Sequence, residues 1–380
     1  MRKLVFTNAR VVGRKEVFEG SVHVEGGRIS AVDRGTATLP GAIDLEGDYL
    51  LPGLVDVHTD NLERHMLPRS ASRWPGGAAL LAHDAQVAGV GITTVLDAVC
   101  IGLEHDVEGR SRDFYHDSLA AMQQAADSGW LRAQHFLHLR CELPGESVAS
   151  LLEMFLDEPL LRLVSLMDHT PGQRQTTDVS RVRRIAERRG TLSDEEWERK
   201  LEVARRRQEQ HAAANRARLI EMMRGRQTPV ASHDDSTVDH VEEAHASGIR
   251  ISEFPTTLAA AEAARRCGMT TVMGAPNVVL GRSNSGNVSA REVAGAGLLD
   301  CLSSDYAPVS MLHAAFLLAS ENGNSLPECV AMVSANPAAM VGLDDRGAIE
   351  DGRRADLIQV RVGGGIPRAH RVWRDGERVA

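Results

Sequence analysis

A histidine and a carboxylate stand two positions apart in Leu54-Val55-Asp56-Val57-His58-Thr59-Asp60, where an apolar run ends. Side chains two apart on an extended segment share a face, so His58 and Asp60 can reach one cation together. Alone the pair is a weak signal, since a strand-end histidine satisfied by hydrogen bonding reads the same way. It gains weight from Glu142, His169, His233 and Asp305, each at the end of its own apolar run. Imidazole and carboxylate together suit one or two divalent ions, zinc first, with manganese, iron or nickel as alternatives, and leave coordination positions open for water. Arg140 and Arg174, at or just after such run ends, add a different capacity: a planar guanidinium holds phosphate oxygens in paired hydrogen bonds.

These residues need a scaffold that aims them at one point. Between residues 51 and 340, apolar β-branched runs alternate with amphipathic helical stretches, the pattern of parallel strands with crossover helices. Eight runs end at Val57-His58, Leu96-Asp97, Leu139 to Glu142, Met167 to His169, Ser232-His233, Glu253-Phe254, Gly274 to Asn277 and Ser304-Asp305. Polar run ends are what a (β/α)8 TIM-type barrel requires, because its site is built from the carboxyl ends of the strands and the loops after them. Residues 1–50 and 341–380 carry short β-type runs with Gly-rich turns, which predicts a small β-sheet domain formed from both chain termini. Residues 178–226 interrupt the rhythm with dense Arg and Glu, and Ser193-Asp194-Glu195-Glu196 has the spacing of a capping box. Mixed signs at helical spacing read as a solvated face or a contact between subunits of a homo-oligomer.

Composition narrows the function classes. A chain of 380 residues with 43% hydrophobic content has ample material for a barrel plus a smaller module. A net charge of −9 argues against work that consists of neutralising a nucleic-acid backbone. The cysteines (Cys100, Cys141, Cys267, Cys301, Cys329) are odd in number and far apart, which fits a reduced, cytoplasmic compartment and small buried side chains. The apolar start of the chain stops at Thr7, too soon for a signal-peptide core. The longest apolar stretch, Val87 to Leu103, contains Asp97 and three glycines, so it is expected in the barrel and not in a membrane.

The ligand pattern resembles the amidohydrolase superfamily, whose members share a strand-one His-x-His pair, a bridging acid or carboxylated lysine, two further histidines and a strand-eight aspartate. The resemblance extends over nearly the whole chain, including the terminal sheet split between both ends and the closing segment Gly347 to Leu357. One departure is plain: Asp60 stands where the second histidine of the first pair is usual, a harder oxygen donor in place of an imidazole. The only lysines are Lys3, Lys15 and Lys200, none of them at a barrel strand end, so the resemblance implies Glu142 as the bridge. The superfamily commonly takes its two histidines from strands five and six, whereas the run count places His169 and His233 on strands four and five; an extra strand between 178 and 228 would shift that numbering.

Several longer runs are similar to a branch of the superfamily known from phosphonate catabolism. They include His58 to Leu62, Leu137 to Pro144, Ser165 to Gln175, Ala231 to Asp235, Glu253 to Thr257, Met273 to Asn277 and Leu302 to Tyr306. That branch cleaves α-D-ribose 1-methylphosphonate 5-triphosphate to the 5-phosphate and pyrophosphate, so a phosphorylated small molecule is the implied substrate. Asp305 would then receive the proton of the attacking water, and Arg140, Arg174, Asn277 and Arg282 would contact the substrate. Arg282 lies in the polar loop Gly281 to Asn287 after run seven, a region where barrels often bind phosphate, although the Gly-Lys-Ser/Thr ending of a P-loop is missing. Two other functions stay open: hydrolysis of an N-acyl amino acid or cyclic amide, since metal hydroxide attacks carbonyl and phosphoryl centres alike, and a non-catalytic assembly subunit that keeps an inherited barrel.

Overall fold

The apolar runs fold into eight parallel strands that follow one another in chain order: β1 (Leu54–Thr59), β2 (Ile92–Ile101), β3 (Gln134–Glu142), β4 (Leu161–Met167), β5 (Val230–His233), β6 (Ile251–Glu253), β7 (Thr270–Gly274) and β8 (Cys301–Ser303). The computed structural model describes residues 3–69, 72–103, 112–176, 178–187, 193–283, 286–321 and 323–380. Closure of the sheet is achieved at its carboxyl end, where Thr59 bridges Asp305. There the Asp60 amide donates to the Asp305 carbonyl at 2.8 Å and the Asp305 amide donates to the His58 carbonyl at 2.9 Å. Two predicted ligands are thereby stitched to the strand that carries the third.

Strand periodicity sorts the barrel interior into layers. Leu96, Phe136, Leu163, Ala231, Ile251, Val272 and Cys301, one from each strand between β2 and β8, pack in one buried apolar cluster. Two residues further along the inner face of β3 to β6 come His138, Ser165, His233 and Glu253, all buried. The apolar floor excludes water from beneath and the polar layer above it faces the mouth.

The run expected to stop at Asp97 continues to Ile101, so Asp97 is a mid-strand residue. Alternation turns it to the opposite face from Leu96, toward α1 (Gly76–Gly89), and away from the mouth. Residues 178–226 hold the helices Val179–Glu187, Asp194–Arg207 and Ala213–Met223, the latter two joined by a π turn at Gln208–Ala212. The capping box is present: Ser193 Oγ accepts from the Glu196 amide at 3.2 Å, and Glu196 returns the bond to the Ser193 amide at 2.9 Å. Among the described residues of this stretch there is no strand, so Glu142, His169 and His233 belong to β3, β4 and β5 as counted.

Both ends of the chain build the second sheet. Tyr49–Pro52 lies between the parallel strand Lys3–Val12 and the antiparallel strand Leu357–Gly363, and Val17–Glu25, Arg28–Arg34 and Ile366–Arg374 extend it. Phe6 and Trp373 meet edge to face at 4.8 Å in its core, an N-terminal residue against a C-terminal one. Cys100, Cys141, Cys301 and Cys329 are buried thiols, and Cys267 is half-buried. Among the described residues no helix is long and apolar enough to cross a membrane; Val87 to Leu103 is divided between the end of α1 and β2.

Candidate active site

His58, His233 and Glu253 stand at the ends of β1, β5 and β6. Glu253 holds both rings: its Oε1 lies 2.7 Å from His58 Nδ1 and its Oε2 lies 2.6 Å from His233 Nδ1. Burial alone would raise the Glu253 pKa, but His58, His138 and His233 outweigh it and keep the carboxyl well below its usual range. An ionised carboxylate only accepts, so each ring donates its Nδ1 proton to Glu253 and turns its Nε2 to the mouth. His169, just past β4, is held the same way. Its Nδ1 lies 2.7 Å from Glu142 Oε2, and its backbone amide donates to Glu142 Oε1 at 2.6 Å. Burial works to lower both rings, but Glu142 and Asp234 raise His169 to about 10, and Glu253 and Asp60 raise His58 to about 10.

The Nε2 atoms face carboxylates. His58 Nε2 is 3.6 Å from Asp60 Oδ1, and these two residues with Asp305 place one donor atom each within 4.8 Å of one another. Arg140 of β3 hydrogen bonds Asp60 through its guanidinium. Burial works to raise Asp60, but Arg140 and His58 prevail and its carboxyl is held well below the ordinary value. Asp305 responds in the opposite direction: burial, reinforced by the charge of Asp60, raises it to about 6. On the other side, Asp234 Oδ2 lies 3.4 Å from His233 Nε2 and 3.5 Å from His169 Nε2.

All of this opens on a cleft of about 360 Å³. Of the ligands expected from sequence, His58, Asp60, His169, His233 and Asp305 line it, while Glu142 sits behind His169. Arg140 and Asn277 also line it, the latter in the first turn of the helix Ala275–Leu280. Arg174 does not; it turns to the Asp235 carboxylate and donates to the His233 carbonyl at 3.1 Å. Arg282 is exposed beside Ser283, which lines the cleft, and residues 284 and 285 of that loop lie outside the described residues. Nitrogen and carboxylate oxygen donors at this spacing fit a divalent cation of the zinc, manganese, iron or nickel type.

Asp234 and Glu253 are site residues that the sequence reading does not single out. Glu253 carries a signal, a carboxylate ending an apolar run. Asp234 carries none, because strand alternation would point it away from His233. A left-handed backbone at Asp234 (φ 58°) turns it back into the mouth, and Asp305 (φ 52°), Arg174 (φ 42°) and Phe254 (φ 56°) share that conformation. Aspartate tolerates it; for phenylalanine it is a strained conformation, and Phe254 packs against the rings of His58 and His233 at 4.9 and 5.3 Å.

Residues 115–375 match the amidohydrolase family. The chain belongs to this family. Its members are metal-dependent hydrolases, and this chain is one. It is 43% identical over 378 residues to the alpha-D-ribose 1-methylphosphonate 5-triphosphate diphosphatase of Escherichia coli K12, covering 99% of this chain and 100% of the relative. In fold it is similar to N-acetylglucosamine-6-phosphate deacetylase from Pasteurella multocida (TM-score 0.64, 13% identity, 99% of each chain). N-isopropylammelide isopropylaminohydrolase from Burkholderia multivorans is comparable, with TM-score 0.67, 17% identity, and 100% and 98% of the two chains covered.

Proposed function

We propose that this amidohydrolase cleaves α-D-ribose 1-methylphosphonate 5-triphosphate to the 5-phosphate and pyrophosphate with zinc at the mouth. The observation that carries the reading is the convergence on one cleft of the histidine and carboxylate donors with the Arg140 guanidinium among them. The near full-length identity to the Escherichia coli diphosphatase supports the same substrate. When bound, the cation supplies a water of near-neutral pKa and polarises the phosphoryl oxygen.

The chain's own groups do the rest. His58, Asp60, His169 and His233 offer donors to the ion, and Glu142 and Glu253 hold the rings in the correct tautomer. Asp305, raised to about 6, is ionised at neutral pH yet basic enough to take the proton of the attacking water. As that oxygen bonds to phosphorus, the phosphoanhydride bond breaks and pyrophosphate leaves. Arg140 and Asn277 stabilise charge on the non-bridging oxygens, Arg282 receives the outer phosphates at the rim, and Arg174 braces the wall through Asp235. The test is pyrophosphate release from this triphosphate by zinc-loaded and chelator-stripped protein. Release by the loaded form alone is expected; amine release from an N-acyl amino acid with no pyrophosphate from the triphosphate would replace this reading with amide hydrolysis.

A further inference from the structure

Asp234 is buried, with 2% of its surface exposed, and its two carboxylate oxygens have different surroundings. Oδ1 accepts from Gln175 Nε2 at 3.2 Å, which fixes the orientation of the group. Oδ2 has no hydrogen-bond partner among the described residues. It is aimed instead at the Nε2 atoms of His233 and His169, at 3.4 and 3.5 Å, beyond a normal N–H···O bond. Each ring already donates its Nδ1 proton to a buried glutamate, Glu253 for His233 and Glu142 for His169. Three polar atoms therefore converge at the cleft, and either an imidazole proton or a cation must lie between them. At these distances a protonated ring satisfies the buried anionic oxygen poorly, and a divalent cation in the same gap would satisfy it better.

The companion group is different. Asp60, on the His58 side, is already neutralised by Arg140. The demand for a cation is thus strongest between β4 and β5.

We propose that Asp234 is the third protein ligand of a divalent cation held through the Nε2 atoms of His169 and His233, with Glu142 and Glu253 as the carboxylates that position the two rings from behind. This rests on the metal-hydrolase reading above and deepens it. The placement of protons explains why Glu142 stands behind His169: both of its oxygens are occupied by that residue, one by the ring and one by the amide. The histidine–carboxylate arrangement of metal sites is present twice.

The test compares zinc-loaded wild type with Asp234→Asn and Glu142→Gln, each dialysed against zinc buffered by a chelator. Bound zinc per chain is measured by elemental analysis, and thermal unfolding is followed for loaded and stripped forms. Asparagine fills the same space, tolerates the left-handed backbone and removes the buried charge, so stripped Asp234→Asn should unfold no lower than stripped wild type. Loss of a ligand should weaken one zinc equivalent by about 100-fold or more, and loss of an orienting carboxylate by about 10- to 100-fold. The gain in unfolding temperature on adding zinc should shrink in the same order. Asp234→Asn that binds zinc with wild-type stoichiometry and affinity overturns the assignment and leaves the metal-hydrolase reading standing. A stripped variant that unfolds well below stripped wild type also counts against it, since that marks Asp234 as structural. Wild type that takes up no zinc, manganese, iron or nickel removes the metal reading itself.

Discussion

His83, Asp97 and His135 repeat the residue types of the barrel mouth, but they lie between α1 and the outer face of β2 and β3. There Asp97 accepts from His83 Nε2 at 2.6 Å and from His135 Nδ1 at 2.7 Å. The far nitrogen of His83 meets Asn61 Nδ2 at 3.0 Å, and that of His135 meets Asp84 Oδ1 at 3.3 Å. Asp84 in turn accepts from the amides of Arg132 and Ala133. Every ring nitrogen and both Asp97 oxygens therefore have a partner, and the protons can be assigned without conflict: one on His83, two on His135. At the mouth the same types leave Asp234 Oδ2 without a hydrogen bond, 3.4 and 3.5 Å from two ring nitrogens, and open on a cleft. The contrast shows that histidine and aspartate in proximity do not make a metal site. What decides is whether protons already fill the spaces between them and whether a ligand can enter. The closed group serves the mouth indirectly. Asn61 follows Asp60 in the chain, so His83 anchors the backbone that presents a mouth residue.

If the division is right, substitutions in the two groups should fail in different ways. Asp305→Asn should keep bound zinc and fold stability but lower kcat by about 10³-fold, within the range for a general base; near-normal turnover would remove Asp305 from that role. Asp97→Asn should do the reverse. Breaking a buried ionic network costs about 3–5 kcal/mol, so the unfolding temperature should drop sharply while zinc per chain stays unchanged. Loss of zinc without loss of stability would erase the distinction.

Burial works to lower His135, but Asp97 and Asp84 raise it to about 9. A histidine raised in the folded state contributes stability that is fully present below its unfolded pKa near 6.5 and is lost as pH rises through about 9. The shift corresponds to something on the order of 3 kcal/mol. Urea unfolding at pH 6.5 and 9.5 should show that loss in wild type and a flatter response in His135→Gln; equal slopes would mean the network is not held by a charged His135. The smallest effect is expected at the rim. Arg282 is exposed, so Arg282→Ala should raise KM by about tenfold at most, with kcat little changed and both groups intact.

Much of the scaffold is legible in the sequence because it follows from short-range rules. The period of two in β3 to β6 marks both the apolar floor and the polar layer above it, and the Ser193 cap is readable from four residues. Asp97 reads as a strand end because a polar residue interrupts an apolar run, yet it is a mid-strand residue matched by His83 of a neighbouring helix. Arg174 reads as a substrate contact because nothing local reveals that Asp235, 61 positions later, will claim it. Asp234 escapes a reading by alternation because that rule assigns it to the wrong face.

Residue types and their order determined which donors could exist, where strands would end and that the donors would share one rim. Only the tertiary structure decided which nitrogen faces which oxygen. Glu253 clamps His58 across 195 positions and His233 across 20, and a few left-handed residues at the strand ends set the final directions. Proton positions follow from those distances and from burial, and neither is defined until the barrel closes through Thr59 and Asp305.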